Sequence, residues 1–180
     1  FDAVSLSSKD PEWLKEIRQD AISAFMKNGF PVKASGNERW RFTNINPIVR
    51  NKFNFHRDNL LSDISNQDIR NLVPWDDNWE TLVFVDGSYS QILSNIQSSG
   101  IQVSNLADKL RDDGAGIRKH LGKYASIDED GFTALNTSFI YDGAVIEIPE
   151  NTHYVNPIHL VFISTGRTEN AISCPRALVL

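Results

Sequence analysis

The amino-acid sequence predicts an α+β fold in which a helical N-terminal region and a small hairpin lead into a β-rich C-terminal part. Three observations support this prediction. Apolar residues recur at helical spacing after Asp10, a short apolar run closes in Asp86-Gly87, and strand-like runs dominate after Asp142-Gly143. Periodicity and turn residues of this kind are the main local signals of secondary structure.

The first element is a helix that begins at Asp10-Pro11-Glu12. Asp10 is suited to cap the free N–H groups, and Pro11 suits the first helical position. The apolar face consists of residues that recur every three or four positions, namely Leu14, Ile17, Ala21, Ala24 and Phe25. Gly29 is expected to end the helix in a left-handed conformation, because Pro31 follows just beyond it.

A second, shorter helix is predicted over residues 65–72. Ser65 is its expected cap, because Asp68 follows three residues later near the positive end of the helix. Pro74 cannot continue the helix and is expected to stop it.

A hairpin and a further helix are predicted in the middle of the chain. Residues 81–85 form a strand with residues 89–93 as its returning partner, since Asp86-Gly87 favours a tight turn. Residues 101–103 are a third small strand. Ser104 is then expected to cap a helix that runs through Leu110.

Three apolar runs, 145–149, 158–163 and 177–180, give the C-terminal part its β character. Their irregular spacing is compatible with the early coils of a β-solenoid, and a sandwich or a jelly roll fits equally well. The last run reaches Leu180 without a polar cap. We therefore expect a truncated β-structure and self-association through the exposed β end.

Composition excludes several functional classes. The net charge of −5 and the pI of about 5.3 do not support a nucleic-acid footprint or a polybasic membrane anchor. The single cysteine, Cys174, cannot form an internal disulfide or a Cys-x-x-Cys metal site. No apolar run approaches the length of a membrane span, and the start lacks a signal-peptide pattern. These features are typical of a cytoplasmic protein.

Glu147, His153 and His159 are the candidate metal ligands. Two histidines and a carboxylate form a known ligand set, but six-residue spacing across a turn fixes no geometry. We therefore favour surface or hydrogen-bonded strand histidines. Cys174 is interpreted as a loop cysteine rather than a sulfur carrier or cluster ligand, since only Arg176 nearby would lower its pKa.

The aromatic and basic run Arg39-Trp40-Arg41-Phe42 could stack nucleic-acid bases. In an acidic chain we instead expect Trp40 and Phe42 to be buried and the arginines to pair with carboxylates. Trp75 and Trp79 are expected to form a packing patch. Ser88 lacks the G-x-S-x-G elbow of a hydrolase nucleophile, and Gly114-Ala115-Gly116 lacks the spacing and the following Lys of a phosphate loop. The acidic runs Asp112-Asp113 and Asp128-Glu129-Asp130 lack the EF-hand pattern and are interpreted as solvated loops.

Several blocks of sequence together resemble a known family. They are Gly29-Phe30-Pro31 after the first helix, Glu38-Arg39-Trp40-Arg41-Phe42-Thr43-Asn44, Leu82-Val83-Phe84-Val85-Asp86-Gly87, Phe132-Thr133-Ala134-Leu135-Asn136-Thr137-Ser138-Phe139 with Asp142-Gly143, Pro157-Ile158-His159-Leu160 and Pro175-Arg176-Ala177-Leu178. In this order they resemble the SufD family and, less closely, its paralogue SufB. Phe42 and Asn44 stand where the family pattern has Tyr and Asp.

The resemblance implies a right-handed parallel β-helix that follows a helical region and is cut after its first coils. The implied division is a helical N-terminal region 1–80, a small α/β segment 81–141 and the start of the β-helix core 142–180. Asn136 is then expected to satisfy buried backbone groups where the helical part passes into the β-helix.

The function implied by the resemblance is that of a subunit of a SufBCD-type scaffold for iron–sulfur cluster assembly, which acts through protein–protein contacts. SufB and SufC would be its partners, with the cluster held transiently by the full complex and ATP bound by SufC. We therefore expect no enzyme activity, and we assign no catalytic, cofactor-binding or metal residue to this chain.

Two other functions stay open at this point. One is a β-solenoid carbohydrate-active enzyme, and the other is a cupin-like metal-binding module that uses His153 and His159. No nucleic acid or membrane is expected as a partner. The expected location is the cytoplasm, or the stroma if the source is a plastid.

Overall fold

A computed structural model describes residues 1, 10–31, 38–55, 64–97, 100–111, 114 and 116–180. Their α-helices are α1 (Glu12–Asn28), α2 (Asn46–Arg50), α3 (Asn66–Leu72), α4 (Leu106–Arg111) and α5 (Gly131–Ser138), with a 3-10 helix at Glu38–Trp40. Their strands are β1 (Asn54–Phe55), β2 (Glu80–Val85), β3 (Ser88–Tyr89), β4 (Gln102–Asn105), β5 (Ala144–Glu147), β6 (Ile158–Ile163), β7 (Ala171–Ile172) and β8 (Ala177–Val179). The predicted α+β class is confirmed.

The chain divides into two compact units. The first comprises Phe1–Asn54 and Leu110–Ile140, and the second comprises Phe55–Lys109 and Tyr141–Leu180. The division into segments 1–80, 81–141 and 142–180 stays a prediction.

In the first unit, α1 and α5 pack through aromatic side chains. Phe30 lies between Phe25 and Phe132, with ring centroids 5.0 and 5.5 Å away. Trp40 contacts Phe132 at 4.8 Å from the other side. Gly131 opens α5 where a Cβ atom would overlap the carbonyl oxygen of Gly29, so glycine is needed for this close approach.

Arg18 is the buried polar centre of the first unit. Its Nε and Nη2 donate to the carbonyl oxygen of Ile140 at 2.9 and 2.6 Å, and its Nη1 lies 2.5 Å from the Asp10 carboxylate. The predicted cap role of Asp10 is therefore wrong, since α1 has no side-chain cap bond. A buried guanidinium without a counter-charge costs more free energy than an uncapped N–H at a helix end that water can reach.

The other predicted helix boundaries agree with the structure in most respects. Gly29 ends α1 with a positive φ of 67°, and its N–H donates to the Phe25 carbonyl. Ser65 and Asp68 form a reciprocal capping box at the start of α3. The Ser65 hydroxyl and backbone N–H both donate to the Asp68 carboxylate, which lowers its pKa.

The second unit contains two three-stranded sheets in which β2 and β5 are central. In the order β3-β2-β6, β2 is antiparallel to β3 and parallel to β6. In the order β4-β5-β8, β5 is antiparallel to β4 and parallel to β8, with Ala144 opposite Ala177. A small two-stranded sheet pairs β1 with β7.

The β3-β2-β6 sheet is covered on both faces. Val83 and Val161 pack with Ile69 of α3 on one side. Leu82 and Phe84 pack with Ala144 of the other sheet on the opposite side. Because β2 is enclosed in this way, its sequence is a continuous apolar run rather than an alternating one.

The predicted hairpin is confirmed, although its second strand is short. Phe84 faces Tyr89 across the Asp86-Gly87 turn, but residues 91–93 form a further turn in place of a longer strand. Ile92 is exposed there, so it would gain little from extension of β3.

The prediction that the runs near Val145, Ile158 and Ala177 are three successive rungs is wrong. The first and third are parallel neighbours, but β6 pairs with β2 in the other sheet. Ile158 and Leu160 face one core cluster while Val161 and Ile163 face the other, so β6 fits beside a strand covered on both faces. No β-helix is seen among the described residues, whose sheets have two or three strands.

Candidate functional site

Two of the blocks that resemble the family, Asp142-Gly143 and Pro175-Arg176-Ala177-Leu178, meet in the second unit at Asp142 and Gly143, which we call the Asp142 junction. Asp142 is almost fully buried. Its Oδ1 accepts hydrogen bonds from the backbone N–H of Ala107 at 3.0 Å and of Gly143 at 2.8 Å, and from the Asn105 amide at 3.3 Å. Its Oδ2 accepts from the backbone N–H of Tyr89 at 2.8 Å. One carboxylate thus connects β3, the start of α4 and the start of β5.

Gly143 allows the strand from the Pro-Arg block to reach the junction. A Cβ atom at this position would lie 2.5 Å from the carbonyl oxygen of Arg176. That carbonyl accepts the N–H of Ala144 at 2.9 Å, which begins the parallel pairing of β5 with β8. The Asp142-Gly143 block and the Pro-Arg block therefore both hold β5 beside β8.

The junction also starts α4, which corrects the prediction that Ser104 caps this helix. Ser104 lies in β4, and its buried Oγ has no hydrogen-bond partner among the described residues. The first N–H groups of α4 find acceptors in residues that are distant in sequence. Leu106 donates to the Gly143 carbonyl at 2.7 Å, and Ala107 donates to the Asp142 carboxylate. A charged acceptor at a helix start is favoured by the helix dipole.

The Asp86-Gly87 turn has a comparable anchoring role. Asp86 adopts a positive φ of 48° and accepts both the backbone N–H and the hydroxyl of Thr165, at 2.8 and 2.6 Å. Gly87, with a φ of 87°, approaches Ser173 closely enough that a Cβ atom would lie 3.1 Å from its side chain. The turn thereby ties the β2–β3 hairpin to the loop after β6.

Two parallel strand pairs end at sheet edges. β6 borders the β3-β2-β6 sheet and β8 borders the β4-β5-β8 sheet. Phe162 and Val179, on these two strands, have 43% and 58% of their surface exposed. An edge strand offers backbone donors and acceptors to a further strand.

The predicted metal ligands are not brought together. Glu147 lies on β5 and pairs with Lys109, whereas His159 lies on β6 in the other sheet. The His159 ring packs edge-on against Trp79 at 5.6 Å, and Trp79 thus has the packing role expected of it. No group of three His, Cys, Asp or Glu side chains in the described part of the chain could hold a metal ion.

Cys174 lies partly buried beside the junction. Burial raises the pKa of its thiol to about 11, although the nearby Arg176 opposes this shift. At neutral pH the thiol is therefore protonated and weakly nucleophilic. Its role, like that of the half-buried Asn136 on α5, stays a prediction.

The aromatic and basic run differs from its prediction at Phe42 and at Arg39, since Arg39 was expected to pair with a carboxylate but forms no ion pair with any described residue. Trp40 packs on Phe132 and its Nε1 donates to Asp130 at 3.1 Å, and Arg41 pairs with Glu38 at 3.0 Å. Phe42, however, is 90% exposed, so the prediction that it is buried is wrong. Trp75 forms part of a surface cluster in which Arg70 lies over its ring and Asp77 accepts its N–H. Asp112-Asp113 and Ala115 lie outside the described residues.

The comparison with known families decides the affiliation. Residues 2–160 match the family described as the SufBD protein N-terminal region. The chain belongs to the SufBD family. The match extends from the chain start to Leu160 in β6, and includes the Asp142 junction.

Curated relatives in this family come from bacteria and a plant. An iron–sulfur cluster assembly SufBD family protein of Mycobacterium tuberculosis is 24% identical over 98% of this chain and 22% of its own length. One from Synechocystis is 34% identical over 55% of this chain and 22% of its own length. A chloroplastic one from Arabidopsis thaliana is 28% identical over 43% of this chain and 14% of its own length. The chain thus spans about a fifth of the length of the first of these relatives.

Among the described residues, no helix combines the length and apolar character that a membrane span requires.

Proposed function

We propose that the protein is a SufD-type subunit of a scaffold complex that assembles iron–sulfur clusters, and that it works through protein contacts rather than catalysis. Its partners are a SufB paralogue and the ATPase SufC, with ATP bound by SufC and the cluster held by the complex. The observation that carries this proposal is the match to the SufBD N-terminal region over residues 2–160.

The contacts that the family blocks make within the fold support a scaffold role. Asp142 and Gly143 bond to backbone groups of three elements. Residues held in this way position strands, whereas catalytic groups need access to a substrate.

We assign to the complete protein a parallel β-helix that extends beyond the described sheets. β5 and β8 are parallel neighbours, and between them the chain crosses to the other sheet to form β6 beside β2. A chain that leaves a sheet and returns to it in parallel makes the step that a β-helix repeats. The SufD assignment, rather than SufB, follows the closer resemblance of the blocks taken together to the SufD family.

The test is co-expression of the full-length protein with the SufB and SufC homologues of the same genome, followed by purification through a tag on SufC. Size-exclusion chromatography with light scattering should show all three proteins in one complex. The full-length protein alone should hydrolyse no ATP. Failure to bind either partner would overturn the proposal.

A second arm separates SufD from SufB. The full-length protein is purified anaerobically with SufC alone and, in parallel, with SufC and the SufB homologue, and iron and acid-labile sulfide are measured. A SufD-type subunit should retain a cluster only when the SufB homologue is present. Equal cluster content without it would assign the protein to the SufB type. The expected location is that of these partners, a bacterial cytoplasm or a plastid stroma.

A further inference from the structure

Residues 38–53 in the first unit, which we call the basic segment, are unusually exposed. From residue 41 to residue 53 every residue except Ile45 is exposed. Trp40 and Ile45 anchor the segment, the first by packing on Phe132 and the second by burial. The rest of the segment is held at the surface by these two contacts.

The basic segment presents apolar side chains at this surface. Phe42 is 90% exposed, and Ile48, Val49 and Phe53 are 37%, 39% and 39% exposed. Single exposed apolar residues are common, but four within twelve consecutive positions are the composition of an interaction surface. Phe42 also lies against the guanidinium of Arg41 at 5.3 Å, which holds the ring in a defined position.

The charge of the basic segment is opposite to that of the chain. It contains four basic residues and one acidic residue, a charge of +3 in a chain of −5, so the remaining residues carry −8. Arg41 pairs with Glu38. Arg39, Arg50 and Lys52 form no ion pair with any residue that the structure describes, so their charges face solvent.

The same unit carries a complementary surface on α1. Glu12, Glu16 and Asp20 are exposed and recur every four residues, so they form one acidic face of the helix. Glu12 pairs with Lys15, but Glu16 and Asp20 form no ion pair within the described ranges. In the last turn of α1, Met26 is 77% exposed, and the exposed Lys27 follows it close to the line of Glu16 and Asp20.

We infer that the basic segment of one copy docks on the acidic face of α1 in a second copy of the chain. In a two-fold dimer the contact occurs twice, since each copy contributes one segment and one helix face. Arg50 and Lys52 then meet Glu16 and Asp20, and Phe42 meets Met26 in the last turn of α1. This inference is independent of the proposed role in cluster assembly.

Other occupants fit the segment less well. Nucleic acid would gain little from the aliphatic side chains of Ile48 and Val49. Anionic lipid surfaces are typically bound by clusters of about four to eight basic residues, more than the three unpaired cations present here. A second copy offers both the carboxylates and the apolar group, and both are visible in the same unit.

The decisive test is a zero-length carbodiimide cross-link on an equal mixture of ¹⁴N- and ¹⁵N-labelled full-length protein. Mass spectrometry should find Lys52 joined to Glu16 or Asp20 in peptides of mixed isotope, which proves a link between copies. Lys123, exposed in the same unit but outside both surfaces, serves as the control lysine. If Lys52 links only within one copy, or no more often between copies than Lys123, the inference is overturned.

Charge reversal gives a second, quantitative test by sedimentation velocity at low and high salt. R50E/K52E and E16K/D20K should each weaken self-association by about tenfold. An equal mixture of the two variants should restore it, because both contacts are again between opposite charges. K123E is the matched control, and circular dichroism checks that each variant is folded.

Three outcomes would refute the docking. These are a wild-type protein that stays monomeric at all concentrations tested, a dimer that both reversals leave unchanged, and a failure of the mixed variants to associate. Binding of phosphatidylcholine vesicles with added phosphatidylglycerol, lost in R50E/K52E while no self-association occurs, would assign the segment to a membrane instead.

Discussion

The Asp142 junction and the basic segment both contain blocks that resemble the same family, yet the fold uses them in opposite ways. At the junction, one carboxylate accepts four hydrogen bonds and is almost fully buried. In the basic segment, Phe42 is 90% exposed and Arg39 has no ion-pair partner in the described part of the chain. A shared motif therefore does not tell whether its residues hold the fold or face a partner.

The difference has a physical origin in the neighbours of each block. Asp142 sits where three elements begin or end, so several backbone N–H groups need acceptors that secondary structure does not supply. The basic segment contains only short elements of three and five residues, and within it only Ile45 is buried and Trp40 half-buried. Its remaining side chains can change without disturbing the core.

The largest expected effect comes from Asp142→Ala. The substitution removes the acceptor of the partly buried N–H groups of Tyr89 and Ala107 and of the buried Asn105 amide, so we expect a loss of about 3–5 kcal/mol in the free energy of unfolding. Urea denaturation followed by tryptophan fluorescence measures it. Asp142→Asn, which keeps one acceptor oxygen, is the control and should cost about half as much. A loss below about 1 kcal/mol for Asp142→Ala would show that water replaces the carboxylate.

Arg18→Ala tests the corresponding polar centre in the first unit. It removes both bonds to the Ile140 carbonyl and the ion pair with Asp10, so the expected loss is about 3 kcal/mol. Arg39→Ala removes an exposed guanidinium and should change stability by less than about 0.5 kcal/mol. Thermal unfolding of both variants compares a buried with an exposed arginine. Equal melting temperatures would contradict the comparison.

How much of the fold and of the candidate site the sequence predicts depends on how far apart in sequence the contacting residues lie. The bounds of β6, the Ser65 cap of α3 and the positive φ at Gly29 are set by neighbouring residues, and the sequence predicts all three. The roles of Asp142 could not be foreseen, since its donors Tyr89 and Ala107 lie 53 and 35 residues earlier. From the sequence, Asp142-Gly143 indicates only a turn.

The errors follow the same rule. Ser104 and Asp10 have the right residue type for caps, but a distant carboxylate starts α4 and a buried guanidinium engages Asp10. Phe42 was expected inside because aromatic residues favour cores, although much of a protein surface is apolar. The family resemblance located the candidate site by its residues, and only the fold shows which groups they contact.

Gly143→Ala is expected to have a moderate effect on stability. The added Cβ would lie 2.5 Å from the Arg176 carbonyl oxygen, so β5 and β8 must separate at their first bond, at a cost of about 1–3 kcal/mol. Gly116→Ala is the matched control, because a Cβ there meets nothing within 4 Å. Hydrogen exchange at the Ala144 N–H locates the change. An unchanged exchange rate with normal stability would show that the strands tolerate the methyl group.

The smallest expected effect on stability is that of Phe42→Ser. Trp40→Ala, in the same segment, provides the contrast between a half-buried and an exposed aromatic side chain. Trp40 is half-buried, packs on Phe132 and donates to Asp130, so its truncation should cost about 2 kcal/mol, less than for a fully buried ring. Phe42 loses little burial on removal, and a change within about 0.5 kcal/mol is expected. Urea denaturation of the two variants checks this. A cost above about 1 kcal/mol for Phe42→Ser would mean that the ring is covered in solution, and would remove it from the surface that faces a partner.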